Sequence, residues 1–443
     1  MDSQNEIRPV LVSETTKQAG EVQDKWFWVE HSVWSERMLT ALEYGVKGDK
    51  WFALIDKVYS PANLQAAYRK VKANRGSAGI DRVSIEHFHR HRNENLEKLH
   101  VRLRSGTYHP QAVRRVYIPK PGSKEGRPLG VPTVRDRVVQ TALRNVLEPI
   151  FERDFAKHSY GFRPGRSCKD ALRRVCRLLK DGYTHVVDAD LKSYFDTIPH
   201  EPLLNRIKEK IADGRVLELI EAYLKQKVMD TAKEWTPDEG TPQGGVISPL
   251  LANIYLDPLD HLMENAGIEM VRYADDLVLM CRNKEAAESA LVMLNEWTDS
   301  AGLTLHPDKT LIVDADVDGF EFLGFRFERG YIWPRKKSID KLKDSIRSKT
   351  SRSSGRSLDA IIKDVNRSVV GWSEYFKHGQ GGVFAALDQW IRMRLRSILR
   401  KRAGRTGRGR GSDHMRWPNI FFAKQGLFSL GQARAMYRQS LIR

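Results

Sequence analysis

Two adjacent aspartates, Asp275 and Asp276, lie between short apolar runs in the segment 271–281. Strand-forming residues on both sides and polar residues between them predict a tight hairpin with the carboxylates at its tip. Neighbouring carboxylates repel and raise each other's pKa, and a hard divalent cation with oxygen ligands is the usual compensation. An isolated pair of aspartates is also typical of an exposed acidic turn, so a cation site requires a third acid from elsewhere.

Asp190 is the candidate for that third acid. It follows a β-type run that contains Val186 and Val187. Two-metal nucleotidyl transfer needs carboxylates from separate strands, because two cations about 4 Å apart hold the attacking 3′-hydroxyl and the leaving pyrophosphate in line. We therefore predict a catalytic, metal-binding set for two Mg²⁺ ions: Asp190, Asp275 and Asp276.

The order of several motifs along the chain resembles the group II intron-encoded reverse transcriptases. Asp190 is followed by Phe195, then by TPQGGVISPLLANIYLD at 241–257, then by YADD at 273–276. Further stretches that fit the family are IPKP at 118–121, RPLGVP at 127–132, SYGFRPGR at 159–166, FLGF at 322–325 and GWSEYF at 371–376. The similarity covers roughly residues 59–402. Each motif is weak alone, but their joint occurrence in one order is specific.

The resemblance implies an α+β right-hand polymerase, with fingers and palm made of an antiparallel sheet plus helices and an α-helical thumb, also called the maturase or X domain. The implied domains are a partly helical N-terminal extension (1–58), fingers and palm (59–334), thumb (335–403), and a basic linker with a C-terminal tail (404–443). Family members with a nuclease continue through a Cys- and His-rich segment, and this chain stops before one, so we expect no HNH endonuclease domain.

A turn rich in Lys, Gly and Pro joins two predicted strands, 112–118 and 127–131, and brings Lys120 and Arg127 near its end. Both side chains suit a triphosphate, because the lysine ammonium is a compact positive charge and the arginine guanidinium can donate two parallel hydrogen bonds. The family uses the matching residues to bind the incoming dNTP.

The resemblance assigns further residues around the carboxylates. Phe195 is the steric gate that occupies the space of a ribose 2′-hydroxyl, although an ordinary core phenylalanine fits the same pattern. Gln243 lies in a glycine-rich loop where backbone can approach a base pair closely. Lys309 is a cation near the pyrophosphate and a candidate general acid, or else a solvated lysine. A predicted hairpin over 320–327 contains the residues that match the primer grip: Phe322, Leu323 and Gly324.

The charge distribution indicates a polyanionic partner. The chain carries 74 Lys and Arg against 56 Asp and Glu, a net charge of +18. Residues 335–443 contain 26 basic and 7 acidic residues, a balance of +19, so this segment holds all of the net charge. Phosphate neutralisation with counterion release is the expected source of affinity, and a solvated basic face is the alternative.

Individual arginines and one lysine are candidates for contacting RNA. In the predicted helix 384–402, an apolar stripe comprises Leu387, Ile391, Leu395 and Ile398. The cations that lie off this stripe are Arg392, Arg396, Arg400 and Lys401. We expect one face of the helix to pack and another to hold phosphates. By resemblance, Arg163 and Arg166 lie against the template or primer backbone.

Other properties limit the class of protein. No apolar run approaches the roughly 18 residues of a spanning helix, and the N-terminus lacks a signal-peptide core. We expect a bacterial cytoplasmic protein, associated with the nucleoid when it acts on DNA. The three cysteines are dispersed and predict no zinc site. Apolar positions at helical intervals predict one amphipathic helix over 25–44 and a second helix with a proline start over 61–73. The segments 338–350 and 358–376 are also predicted to be helices.

The expected partners are intron RNA, an RNA template with a DNA primer, and dNTPs, whereas membranes are not expected and the oligomeric state stays open. Two other functions fit the sequence. One is an RNA-binding splicing factor whose polymerase site is vestigial, and the other is a domesticated reverse transcriptase in phage defence. The intact aspartates argue against an inactive site.

Overall fold

The computed structural model describes residues 25–119, 126–230, 233–409 and 411–440. The chain divides into two compact units. The first contains residues up to Val175, together with Ala189–Met280 and Glu285–Leu311. The second contains Cys176–Asp188, Cys281–Lys284 and the residues from Ile312 onwards. None of the helices within the described ranges is long and apolar enough to cross a membrane.

The helices of the described residues range from 4 to 21 residues in length. They are Glu36–Tyr44 (α1), Ile55–Tyr59 (α2), Pro61–Ala73 (α3), Ile85–Arg90 (α4), Arg92–Ser105 (α5), Val134–Glu152 (α6), Cys168–Lys180 (α7), Tyr194–Thr197 (α8), His200–Lys208 (α9), Gly214–Leu224 (α10), Ser248–Asn265 (α11), Lys284–Ser300 (α12), Lys336–Lys349 (α13), Leu358–Phe376 (α14), Gly382–Arg402 (α15), Ser412–Arg416 (α16), Asn419–Lys424 (α17) and Leu430–Ser440 (α18).

The strands of the described residues form three sheets. They are Val113–Pro119 (β1), Gly126–Val131 (β2), His185–Asp190 (β3), Val228–Asp230 (β4), Lys233–Trp235 (β5), Glu269–Tyr273 (β6), Asp276–Cys281 (β7), Leu311–Asp314 (β8), Phe320–Phe322 (β9), Phe325–Glu328 (β10) and Tyr331–Pro334 (β11). The sheet orders are β2-β1-β4-β5, β6-β7-β3-β8 and β11-β10-β9. The antiparallel expectation holds for β1 with β2 and for β6 with β7, but β1 and β4 pair in parallel.

Local signals account for the ends of the helices in the first unit. Helix α3 begins where the Ser60 hydroxyl accepts a hydrogen bond from the Asn63 N–H, with Pro61 at its first position. Thr133 caps α6 in the same way by accepting from the Asp136 N–H. Helix α6 is buried along most of its length.

The prediction of one helix over 25–44 is wrong, because the helix in that region begins only at Glu36. The residues before it form turns that bury Trp26 and Trp34, which are 2% and 1% exposed. The Trp34 indole N–H donates to the Asn145 carbonyl of α6 at 2.9 Å. Packing against α6 therefore decides the backbone here, rather than helical periodicity.

In the second unit, helices α13, α14 and α15 match the segments that the sequence predicted as helical. The four apolar stripe residues of α15 are all buried, which confirms the packing face. The C-terminal segment folds onto this helix. Asp388 accepts hydrogen bonds from the Leu430 and Gly431 N–H groups at the start of α18, both at 3.0 Å, and Phe422 and Leu430 are fully buried.

Candidate active site

The two adjacent aspartates lie at the tip of a hairpin, as the sequence predicted. Strands β6 and β7 pair antiparallel, with Tyr273 opposite Asp276, so Ala274 and Asp275 form a two-residue turn. Ala274 has a φ of 61°, in the left-handed region that two-residue hairpin turns require. Both aspartates are half-buried, so their carboxylates are only partly solvated.

A buried arginine fixes this turn from inside. The Arg272 side chain is 1% exposed and pairs bidentately with the equally buried Asp260 of α11, with Nε 2.7 Å from Oδ1. Its Nη1 donates to the Ala274 carbonyl at 2.9 Å and to the Asn253 side chain at 3.0 Å. The turn that carries the carboxylates is therefore tied to α11 by charge-assisted hydrogen bonds.

A second segment supports the hairpin from outside. The Tyr160 N–H donates to the Arg272 carbonyl at 2.9 Å, and the Arg272 N–H donates to the His158 carbonyl at 3.0 Å. A Cβ on Gly161 would lie 2.2 Å from the Ala274 nitrogen, so only glycine allows this approach. The first glycine of the sequence motif SYGFRPGR, Gly161, thus has a packing role at the active-site turn.

Asp190 ends β3, which is the neighbour of β7 in the sheet. Burial raises the pKa of the Asp275 carboxyl, and the negative charge of Asp190 raises that pKa further. The structure thus brings the three predicted carboxylates to neighbouring strand ends. Lys309 Nζ lies 2.5 Å from Asp190 Oδ2 and supplies a local counter-charge.

The donor chemistry of this site fits a hard divalent cation. Its groups are carboxylate oxygens, which Mg²⁺ prefers, and their mutual repulsion favours a bound positive charge. Within the described ranges, no group of three or more His, Cys, Asp or Glu side chains is arranged so that it could hold a metal ion as it stands. Asp190 is instead paired with the Lys309 ammonium.

Two of the predicted nucleotide-binding residues, Arg127 and Gln243, contact each other in the first unit, and the charge of Arg127 partly offsets the raised pKa of Asp275. Arg127 Nε donates to Gln243 Oε1 at 2.9 Å. After Asp190 the chain turns at Ser193, which has a φ of 52°, into α8, where Phe195 is half-buried against the Tyr194 ring. The chain therefore turns between Asp190 and Phe195. Lys120 lies outside the described residues.

The predicted primer-grip hairpin is present in the second unit. Strands β9 and β10 are antiparallel and joined by Leu323 and Gly324, with φ values of 47° and 83°. The Tyr375 hydroxyl donates to the Leu323 carbonyl at 2.8 Å. The Phe322 side chain is 1% exposed and belongs to the core, whereas Leu323 and Gly324 in the turn are half-buried.

Arg163 was predicted to lie against the template or primer backbone, but the structure buries it inside the protein. Its side chain is 2% exposed and forms an ion pair with Glu152, while Nη1 donates to the Ser159 carbonyl at 2.9 Å. This corrects the expectation of a phosphate contact, because the guanidinium is already satisfied inside the protein. Arg166 is half-buried above the Tyr160 ring and donates to the same Ser159 carbonyl.

The predicted phosphate contacts of two of the four cations on α15 also need correction. Arg396 is 2% exposed and donates to the Trp417 carbonyl at 2.8 Å and to Asn419 Oδ1 at 2.7 Å. Arg400 pairs with the fully buried Asp413 at 2.6 Å. Both side chains hold the C-terminal segment and do not form a free phosphate-binding face. Lys401 is exposed, and Arg392 is half-buried.

Several residues that shape the site were not singled out from the sequence. They are Arg272 and Asp260, which anchor the turn, Gly161, which supports it, and Asp196, which binds Gln243. Arg272 alone gave a usable signal, because a charged residue inside the apolar strand 269–273 must be paired if it is buried. The others act through contacts between segments distant in sequence.

Comparisons with known proteins agree with this geometry. Residues 118–327 match the family model of the reverse transcriptase (RNA-dependent DNA polymerase), and residues 339–417 match the group II intron, maturase-specific domain.

Three relatives illustrate the extent of the similarity. Protein YkfC of Escherichia coli (strain K12) is 38% identical over 273 residues, which cover 53% of this chain and 71% of YkfC. The group II intron-encoded protein LtrA of Lactococcus lactis subsp. cremoris is 46% identical over 167 residues, 38% of this chain and 28% of LtrA. The putative COX1/OXI3 intron 1 protein of Saccharomyces cerevisiae is 29% identical over 365 residues, 69% of this chain and 43% of that protein. The aligned residues cover less than half of LtrA and less than half of the COX1/OXI3 intron 1 protein.

Proposed function

Because the chain belongs to the reverse transcriptases and carries a group II intron maturase-specific domain, we propose that it binds intron RNA for splicing and copies it into DNA. The observation that carries the catalytic part is the placement of Asp190 beside the hairpin of Asp275 and Asp276, at neighbouring strand ends. Within this proposal, residues 59–334 act as fingers and palm and residues 335–403 as thumb.

Asp190, Asp275 and Asp276 would hold two Mg²⁺ ions, which supply Lewis-acid stabilisation of charge in nucleotidyl transfer. The protein contributes the placement of these carboxylates through the Arg272 anchor and the Gly161 contact. Hydrogen bonds that fix such groups before the reaction lower its reorganisation cost.

The dNTP is proposed to lie between Arg127, Gln243 and Phe195. Arg127 is exposed, and its Nε is used by Gln243, so the terminal N–H groups can bind the triphosphate. The Phe195 ring would exclude a ribose 2′-hydroxyl by volume. Lys309, whose ammonium pairs with Asp190 in the structure, would serve as the proton donor to the leaving pyrophosphate.

We propose that RNA binds to an exposed basic surface rather than to the buried arginines of α15. It comprises Lys401, Arg402, Arg405 and Arg408, called here the basic loop. The basic loop has a defined shape. The Gly409 N–H donates to the Ser397 hydroxyl at 3.1 Å, and Arg400 Nε donates to the Thr406 carbonyl at 2.7 Å. A fixed array of cations suits the phosphates of a structured RNA.

Primer extension on an RNA template with Mg²⁺ tests the catalytic proposal. Asp190→Ala, Asp275→Ala and Asp276→Ala should each abolish DNA synthesis while RNA binding stays within about twofold of the parent. Asp299→Ala, at an exposed helix end, is the matched control and should extend normally.

If the parent itself makes no DNA but binds intron RNA and promotes splicing, the chain is a splicing factor with a vestigial polymerase site. Normal extension by Asp190→Ala would remove Asp190 from the site.

A further inference from the structure

Asp196 lies one residue after Phe195 on α8 and belongs to none of the groups described so far as binding substrate or cation. Its Oδ2 accepts a hydrogen bond from Gln243 Nε2 at 2.6 Å. On its other side, Gln243 Oε1 accepts from Arg127 Nε at 2.9 Å. Three segments separated by 47 and 116 residues are thus joined through one amide side chain.

In the hydrogen-bonded series Arg127–Gln243–Asp196, the role of each group as donor or acceptor fixes the role of the next. A guanidinium only donates, so the Gln243 oxygen must face Arg127, and the Gln243 NH₂ group must then face an acceptor. The Asp196 carboxylate provides it. Without that acceptor, the amide could rotate and present its NH₂ group to Arg127, where two donors would repel.

The backbone around Gln243 is held equally closely. The Thr241 N–H donates to the Phe195 carbonyl and the Gly130 N–H donates to the Gln243 carbonyl, both at 2.6 Å. A Cβ on Gly240 would lie 2.7 Å from the Asp196 backbone. Because the main chain of the loop is fixed between β2 and α8, the remaining freedom at Gln243 is in its side chain, and Asp196 restricts it.

We propose that Asp196 is a positioning residue for the incoming nucleotide, acting through the Gln243 amide to hold the Arg127 guanidinium at the triphosphate. This inference rests on the proposed function, in which Arg127 and Gln243 bind the dNTP. Asp196 lines a cavity of about 560 Å³ together with Arg115 and Gln243. Partial burial raises the pKa of Asp196, although the Gln243 hydrogen bond and the charges of Arg115 and Arg127 lower it.

Single-nucleotide incorporation on a fixed RNA template and DNA primer gives KM for the dNTP and kcat separately. Asp196→Ala should raise KM about tenfold, with kcat and primer–template affinity changed less than about twofold, because the lost interaction orients nucleotide-binding groups. Asp196→Asn keeps a side-chain oxygen acceptor and should stay within about threefold of the parent. Asp299→Ala, on an exposed residue outside the lining of this cavity, is the control and should leave KM unchanged.

A double-variant cycle separates positioning from a general structural role. Asp196→Ala should add nothing to Gln243→Ala, because both break the same chain. Gln243→Glu places two carboxylates together and should raise KM, and adding Asp196→Asn should restore it by supplying an N–H donor to the glutamate. This restoration is measurable even where Asp196→Ala fails to fold.

Additive effects of Asp196→Ala and Gln243→Ala, or no restoration of Gln243→Glu by Asp196→Asn, would overturn the proposal. The proposed dNTP site is tested apart from it. If Gln243→Ala leaves KM unchanged, the assignment of Gln243 to the nucleotide site fails. If Gln243→Ala raises KM and Asp196→Ala does not, only the positioning role of Asp196 fails.

Discussion

Replacing Arg272 by methionine should both destabilise the first unit and disorder the catalytic turn. The substitution removes the bidentate pair with Asp260 and the hydrogen bond to the Ala274 carbonyl. Asp260 is 3% exposed, so its carboxylate would stay buried without its partner. Breaking one side of such a buried pair costs about 3–5 kcal/mol. With an m-value of about 3 kcal/mol/M, the urea midpoint should fall by roughly 1–2 M.

Arg174→Met is the matched control. Arg174 pairs with Glu269 on the same strand β6, but its side chain is 19% exposed and that of Glu269 is 28% exposed, so the expected loss is about 1 kcal/mol. Adding Asp260→Leu to Arg272→Met should recover part of the lost stability, because no buried charge then remains. A midpoint for Arg272→Met no lower than that of Arg174→Met would refute the anchoring role.

Three further perturbations test other parts of the account. Gly161→Ala should displace the Ala274 backbone, lower the free energy of unfolding by about 1–3 kcal/mol and reduce primer extension by about 100-fold. Gly214→Ala is the control, because a Cβ at that position would meet no atom within 4 Å, and it should change neither stability nor extension. Phe195→Val should raise incorporation of ribonucleotides relative to deoxynucleotides in the same assay, and an unchanged ratio would make Phe195 a core residue. Replacing the four cations of the basic loop by glutamine should make the slope of log K against log salt shallower by up to about three units, while Arg396→Gln should lower the melting temperature without changing the slope.

Local sequence signals were sufficient for much of the fold. The helices Pro61–Ala73 and Leu358–Phe376 have the bounds that their periodicity and flanking residues predicted, and each is capped by the serine that precedes it. The catalytic hairpin and the hairpin of β9 and β10 were also predictable, because short strands flank two-residue turns. The order of the motifs was enough to identify the family, which the comparisons confirm.

The errors concern side chains whose surroundings come from distant segments. Helical periodicity places Arg396 off the apolar stripe of α15, but it carries no information about residues 417–422, which cover that side chain. In the sequence, Arg163 resembles a phosphate ligand, but in the structure the carboxylate of Glu152 neutralises its charge. Asp196 shows no pattern in the sequence, since its partner Gln243 is 47 residues away.

Iron-directed cleavage tests most directly the central claim that carboxylates from two strands hold divalent cations together. Fe²⁺ bound in place of Mg²⁺, with ascorbate and peroxide, cuts the backbone near its ligands. We expect two sets of fragments, one ending near Asp190 and one near Asp275 and Asp276, both suppressed by excess Mg²⁺ and both lost in Asp190→Asn. Cleavage confined to one of these segments, or two sets that survive Asp190→Asn, would contradict a shared cation site.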